Sequence, residues 1–330
     1  MPRHAVLHLS EDDEPLEDKT AALPLHSKRT DRQQKKQTKR ARKLDAVVNL
    51  VQLPTELILE CLKLLPPGDV LIFGAVNRRF RKLVALNANV IGDTIIRGRY
   101  PILAQCFPLP KLLSQVDATA REALMDERRQ RMLAIHHKPY QHVRPLDPYL
   151  VCSCITCFML WNNLCLALDF AHWQDNLDTG NPLPIIPRGK SPEWNEELVQ
   201  RNVRIVRTAL HNSLWHARIL ELHLTSTIRA IRRHAENKGN KRKHVEMSDE
   251  EAEMGTDTFL TKPGPLSIEF PFNRDEYYML EAYLPNRWWV KTQDKWVYTI
   301  AGKHEQDIEY VVRSATRQHD SRNDSRYREK

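Results

Sequence analysis

Residues 53–84, LPTELILECLKLLPPGDVLIFGAVNRRFRKLV, constrain this chain most, because they carry more apolar surface than short helices need. Leu53 and Pro54 stand where a helix begins, and proline is tolerated there because the first N–H groups of a helix are unpaired anyway. Leu57, Ile58, Cys61, Leu62 and Leu65 then recur along one helical face. Pro66-Pro67-Gly68-Asp69 ends that helix and restarts the chain. Val70, Leu71, Phe73 and Val76 make a second short helix, and Asn77 can cap a third that runs through Phe80 to Leu83 and Val84. One apolar stripe per helix suffices for a self-contained bundle, yet Leu59, Leu64 and Ile72 lie outside it. A segment of about 40 residues is also near the lower limit for burying a core alone. The surplus therefore asks for a second surface, from the rest of this chain or from another protein.

The order Leu-Pro, Glu-Leu-Ile, Leu-x-x-Leu, Pro-Pro-x-Asp-Val-Leu and Ala-Val-Asn-Arg-Arg-Phe-Arg resembles the F-box, over roughly residues 52–95. Asn77 stands where many F-boxes have cysteine and Phe80 where many have tryptophan, and the aromatic that often closes the motif is absent from NANVIGDTII. The resemblance implies a three-helix module that docks on a Skp-type adaptor within a cullin–RING ubiquitin ligase. Carried over by position, Leu53, Pro54, Leu57, Ile58, Leu62, Leu65, Leu71, Val76 and Phe80 are its adaptor-facing or module-core residues, with the two roles undivided. It also implies a non-catalytic subunit of an SCF-type complex, in which the rest of the chain presents an unknown protein substrate.

With 330 residues there is room for such a module and a substantial second domain. The net charge of +8 is unevenly spread. SEDDEPLEDK at 10–19 is acidic, and KRTDRQQKKQTKRARK at 28–43 is basic without apolar periodicity. Such blocks cannot bury enough surface to offset ordering entropy, so residues 1–50 read as a disordered arm. The basic run suits a nuclear-import signal, non-specific phosphate binding or simple solvation. No charged-then-apolar leader with a small-residue cleavage site is present, so secretion is not expected, and the six cysteines read as reduced thiols. The expected location is nuclear, cytoplasmic or both.

Further along, 117–138 reads as one amphipathic helix. Residues 149–168, YLVCSCITCFMLWNNLCLAL, carry no charge and approach the length of a membrane span. Asn162 and Asn163 inside the run, and flanking Asp147 and Asp169 without a Lys/Arg bias, favour a buried helix instead. Cys152-x-Cys154-x2-Cys157 invites a zinc reading, but its second pair is missing and His172 lies too far from another histidine. Cys154, Cys157, Trp161, Cys165 and Leu168 share helical spacing, so the cysteines are expected in the core, with no metal and no cofactor. Residues 177–192 form a loop whose Gly189-Lys190-Ser191 lacks the first glycine of a phosphate loop.

Ser191 and Pro192 start a helix that Val199, Val203, Val206, Leu210 and Leu214 continue, after which ILELHLT alternates like a strand and STIRAIRRHAE returns to helical period. Residues 236–258 are a charged linker with an acid-directed kinase pattern at Ser248. NRWWVKTQDKWVYTI at 286–300 reads as a hairpin turning at Gln293-Asp294, its aromatics in the core, and EQDIEYVVRSATRQ as a closing helix. The expected fold is mainly α: the F-box at 51–100, then a helix-rich α+β domain with a small β-hairpin over 101–235 and 259–316, and a polar tail at 317–330. No Gly-x-Ser-x-Gly elbow, His-Glu-x-x-His or phosphate loop occurs, and His136, His137, His211 and His216 have no fixed acidic partner, so no catalytic residue is expected. The competing function class is a nuclear nucleic-acid- or chromatin-associated protein that uses the basic arms.

Overall fold

Capping and proline punctuation divide the chain into short and long helices. The computed structural model describes residues 28–44, 50, 53–135, 141–237, 239, 243–265, 271, 273–299 and 303–328. The chain forms two units, residues 1–54 and 55–330. In the first, the basic run folds as helix α1, Lys28–Leu44, rather than as an unordered arm. No glycine or proline interrupts it, its lysines, arginines and glutamines are good helix formers, and Asp31 sits in the first turn. The acidic stretch at 10–19 lies outside the described residues.

The second unit opens with three helices in the expected order: α2 (Thr55–Leu64), α3 (Pro67–Val76) and α4 (Arg78–Arg99). Pro67 is the first residue of α3, and Asn77 caps α4 by accepting a 2.8 Å hydrogen bond from the Phe80 N–H. The third helix continues well past Val84, to Arg99. Short α5, Pro101–Cys106, follows, and the buried Asp257 carboxylate accepts from the Ile102 and Leu103 N–H groups at its start.

The single helix expected over 117–138 is two, α6 (Ala118–Leu124) and α7 (Glu127–Ile135). Asp117 caps the first, and the Asp126 side chain, accepting from Arg129 N at 3.0 Å, starts the second. Helix α8, Ile155–His172, is buried on almost every side, which explains why the run up to Leu168 carries no charge. Among the described residues no helix is long and apolar enough to cross a membrane.

Helix α9 (Gln174–Thr179) ends at Gly180, whose φ of 70° is the left-handed conformation a helix stop requires. Helix α10, Glu193–Ala209, starts after Pro192 and stops short of Leu210. Asn212 then caps α11, Ser213–Glu236, through Leu214 N and Trp215 N, so Leu214 belongs to the next helix. The strand-like ILELHLT lies wholly inside α11. Its buried His216, His223 and Thr227 are hydrogen-bonded, and the polarity of these residues and of buried Ser226 is what blurred the helical period.

Helix α11 is the spine: α3, α4, α8 and α10 all pack against it. The charged stretch at 236–258 is more structured than a linker. It contains α12 (Asp249–Glu253), capped reciprocally by Ser248 and Glu251, and the buried Val245 and Asp257. After α13 (Tyr277–Leu280), strands β1 (Arg287–Val290) and β2 (Lys295–Tyr298) pair antiparallel with Trp289 opposite Trp296. Asp294 takes φ 47° at the turn. The hairpin aromatics are half-buried rather than core, and the buried residue is Arg287, whose guanidinium lies 3.8 Å from the Trp296 ring centre. The closing helix α14, Lys303–Arg328, packs on α6 and α8 and runs through the expected polar tail.

Candidate functional site

The residues of α2–α4 sort into an inner and an outer set. Ile58 and Leu62, one turn apart on α2, are buried, as are Val70 on α3 and Phe80 on α4, with Phe73 stacked on Phe80 at 4.2 Å. Of the nine residues carried by the F-box resemblance, Ile58, Leu62 and Phe80 are therefore module core. Leu71 is half-buried. Leu57, Leu65 and Val76 are exposed. Leu53 and Pro54 precede α2 at the end of the first unit, where Leu53 N donates to Leu50 O and Pro54 is exposed.

Of the surplus apolar residues, Leu64 and Ile72 complete the outer set, and Leu59 is half-buried. Leu57 and Leu64 are two turns apart on α2 and 54% and 73% exposed, with the exposed Cys61 between them. Ile72 and Val76, one turn apart on α3, are 68% and 67% exposed. Leu64 and Ile72 were visible in the sequence as excess but have no place in the family pattern carried over by position.

Another side of the same module rests on the chain's own α11. The Gly68 N–H donates to the Glu221 carboxylate at 2.9 Å, and Arg218 pairs with that carboxylate at 2.5 Å. The Ser213 N–H donates to Asn89 Oδ1 at 2.9 Å. At Gly92 an added Cβ would stand 2.2 Å from Leu214 N, so only glycine admits this approach of α4 to α11. Arg99 of α4 donates to Leu64 O at 2.7 Å and so ties off the end of α2. The chain's own α11 thus covers one face of the module, while the apolar residues of another face stay exposed. Burying an apolar side chain is worth about 1.5–3 kcal/mol, so the exposed leucines, isoleucine and valine hold several kcal/mol for a partner that covers them.

A second constellation lies at the start of α8. Cys152, Cys154 and Cys157 are buried in a hydrophobic cluster with Leu113, Val116 and Leu124, as expected, and their sulfurs also converge with His304 of α14. The four possible ligand atoms lie within 4.8 Å of one another, and His304 Nδ1 is 3.4 Å from Cys154 Sγ and 3.3 Å from Cys157 Sγ. The approach of His304 to these sulfurs adds to the expected core packing a group of the kind that can ligate a metal. The Cys-x-Cys-x2-Cys spacing was the signal, whereas the fourth residue is far away in sequence and carries none. Cys165, further along α8, is not a member, and burial pushes its thiol up, as it does Cys106 to about 12. His216 and His223 are buried against the Phe107 and Tyr283 carbonyls, while His136 and His137 lie outside the described residues.

The comparisons bear on the segment that holds α2, α3 and the start of α4. Residues 50–89 match the family model of the F-box domain, so this chain carries an F-box, the module through which proteins join SCF ligases by binding Skp-type adaptors. No curated protein and no solved structure matches the chain. The match ends inside α4, shortly before the close approach of Gly92 to α11.

Proposed function

We propose that this protein is a non-catalytic substrate-recognition subunit of an SCF-type cullin–RING ubiquitin ligase. The observation that carries the reading is the outer apolar face of the F-box helices, with Leu57, Leu64, Leu65, Ile72 and Val76 exposed although their neighbours Ile58, Leu62 and Phe80 are buried. A Skp-type adaptor covers this face, and the helices after α4 hold an unidentified protein substrate. Catalysis is then proximity: substrate lysines reach a high effective concentration beside a ubiquitin-loaded enzyme supplied by the ligase. The test is a pull-down of purified Skp-type adaptor by the full chain. Wild type retains it, and Leu57→Asp/Leu65→Asp, both at exposed positions, loses it; equal recovery rejects the reading. Affinity purification with the proteasome blocked then identifies the substrate.

A second reading rests on α1, whose Lys28, Arg29, Arg32, Lys35, Lys36 and Lys39 are all exposed. It makes the chain a nuclear protein that contacts nucleic acid through phosphates, and nuclear placement is compatible with the first reading as well. Phosphate binding of this kind weakens steeply with salt. A mobility-shift titration at low ionic strength that shows no complex removes it.

A further inference from the structure

The geometry points to a structural zinc site, in which Cys152, Cys154, Cys157 and His304 bind one Zn²⁺ and fasten α14 to the start of α8. Bonds of about 2.3 Å to sulfur and about 2.05 Å to nitrogen, at tetrahedral angles, place S···N pairs about 3.6 Å and S···S pairs about 3.8 Å apart. The two S···N separations of 3.4 and 3.3 Å and the 4.8 Å limit on all pairs fit that polyhedron with small adjustment. All six cysteines are free, so the convergence is not a disulfide.

The surroundings suit thiolates. Cys154 N–H points at Cys152 Sγ at 3.5 Å, Cys157 N–H at Cys154 Sγ at 3.4 Å, and Lys111 N–H at Cys157 Sγ at 3.4 Å. Cys154 is the N-cap of α8 and Cys157 lies in its first turn, where the helix end favours negative charge. Three thiolates, a neutral imidazole and Zn²⁺ carry a net charge of about −1. Arg129 supplies the compensating charge. Its Nη2 donates to Ser153 O at 2.8 Å, inside the Cys152–Cys154 segment, and its buried Nε has no hydrogen-bond acceptor among the described residues.

The set is closed. Four side chains fill a tetrahedron, three of them fully buried, so no position remains for substrate, and sulfur-rich ligation selects zinc over hard cations. Asp307, one turn beyond His304, accepts from both Thr156 N at 2.8 Å and Thr156 Oγ1 at 2.5 Å, which sets the imidazole against the first turn of α8. The metal therefore joins segments near 155 and 304 that only tertiary folding brings together, and its binding energy becomes folding energy for that end of the domain.

Elemental analysis of the full chain, purified without a polyhistidine tag, tests the site. We expect about one zinc per chain, at least a fivefold reduction in Cys154→Ser and His304→Ala, and retention in His304→Cys, which restores four ligands. Replacing zinc with Co²⁺ in the wild type gives thiolate charge-transfer and tetrahedral d–d bands, and these shift in His304→Cys. The cobalt spectrum of the wild type decides the matter if the variants fail to fold. A folded wild-type chain without stoichiometric zinc or the cobalt bands, or zinc content unchanged in the two ligand-deleting variants, overturns the assignment.

Discussion

Asp169 shows what single residues contribute away from the F-box face. It is fully buried in α8, accepts from Tyr277 OH at 2.7 Å and pairs with Arg274 Nε at 3.2 Å. Arg274 also donates to Asn195 Oδ1 at 2.7 Å and lies 5.1 and 5.2 Å from the ring centres of Trp173 and Trp194. This network holds the segment around α13 to α8 and α10. Asp169→Ala strands a buried guanidinium and should cost about 3–5 kcal/mol in urea unfolding, and a loss below about 1 kcal/mol would contradict the role. Burial also holds His142 and His223 down to about 4. From roughly pH 6.5 down to 4 the unfolded chain binds these protons and the folded chain does not, so their contribution is complete above pH 6.5 and lost on acidification. Asp257, raised to about 6 by burial, works the other way and offsets part of the loss. The urea midpoint should be lower at pH 5 than at pH 7, and an unchanged or higher midpoint would count against this balance. At this scale the sequence was only partly legible. Cap residues such as Asn77 act on near neighbours and could be read, whereas Asp169 with Arg274, and the cysteines with His304, are joined only by the fold.

Whole helices were legible where one face is apolar and caps are local. Helices α2 to α4 follow from proline placement, the Asn77 cap and periodicity. Helices α8 and α11 were harder, because burial on several sides removes amphipathic contrast and hydrogen-bonded polar residues interrupt the period of α11. The split between α6 and α7 depends on Asp126, a cap inside a run of good helix formers. Two predictions belong here. Asn77→Ala, which removes the cap of α4, should cost about 1 kcal/mol by thermal or chemical unfolding. Gly92→Ala should cost more, about 1–3 kcal/mol or beyond, because its Cβ would meet backbone of α11. Near-equal stability of Gly92→Ala and wild type would show that α4 and α11 can separate without penalty.

At the scale of the molecule, the F-box has one side built against α11 and another left apolar and exposed. The sequence showed the surplus but could not divide it, since core-facing and partner-facing leucines look alike in periodicity. In the fold, Ile58, Leu62 and Phe80 are buried and Leu57, Leu64, Ile72 and Val76 are exposed. Substitutions in the outer set should abolish adaptor binding and leave folding intact, whereas Leu62→Ala should cost about 2–5 kcal/mol of stability. The most direct measurement is calorimetric titration of the full chain with purified Skp-type adaptor, beside a Leu64→Asp/Ile72→Asp variant with an unchanged unfolding curve. The account predicts saturable binding with a negative heat-capacity change for the wild type, and affinity at least a hundredfold weaker for the variant, the equivalent of about 2.7 kcal/mol. Equal affinity for the two proteins, or no binding by the wild type, would contradict it.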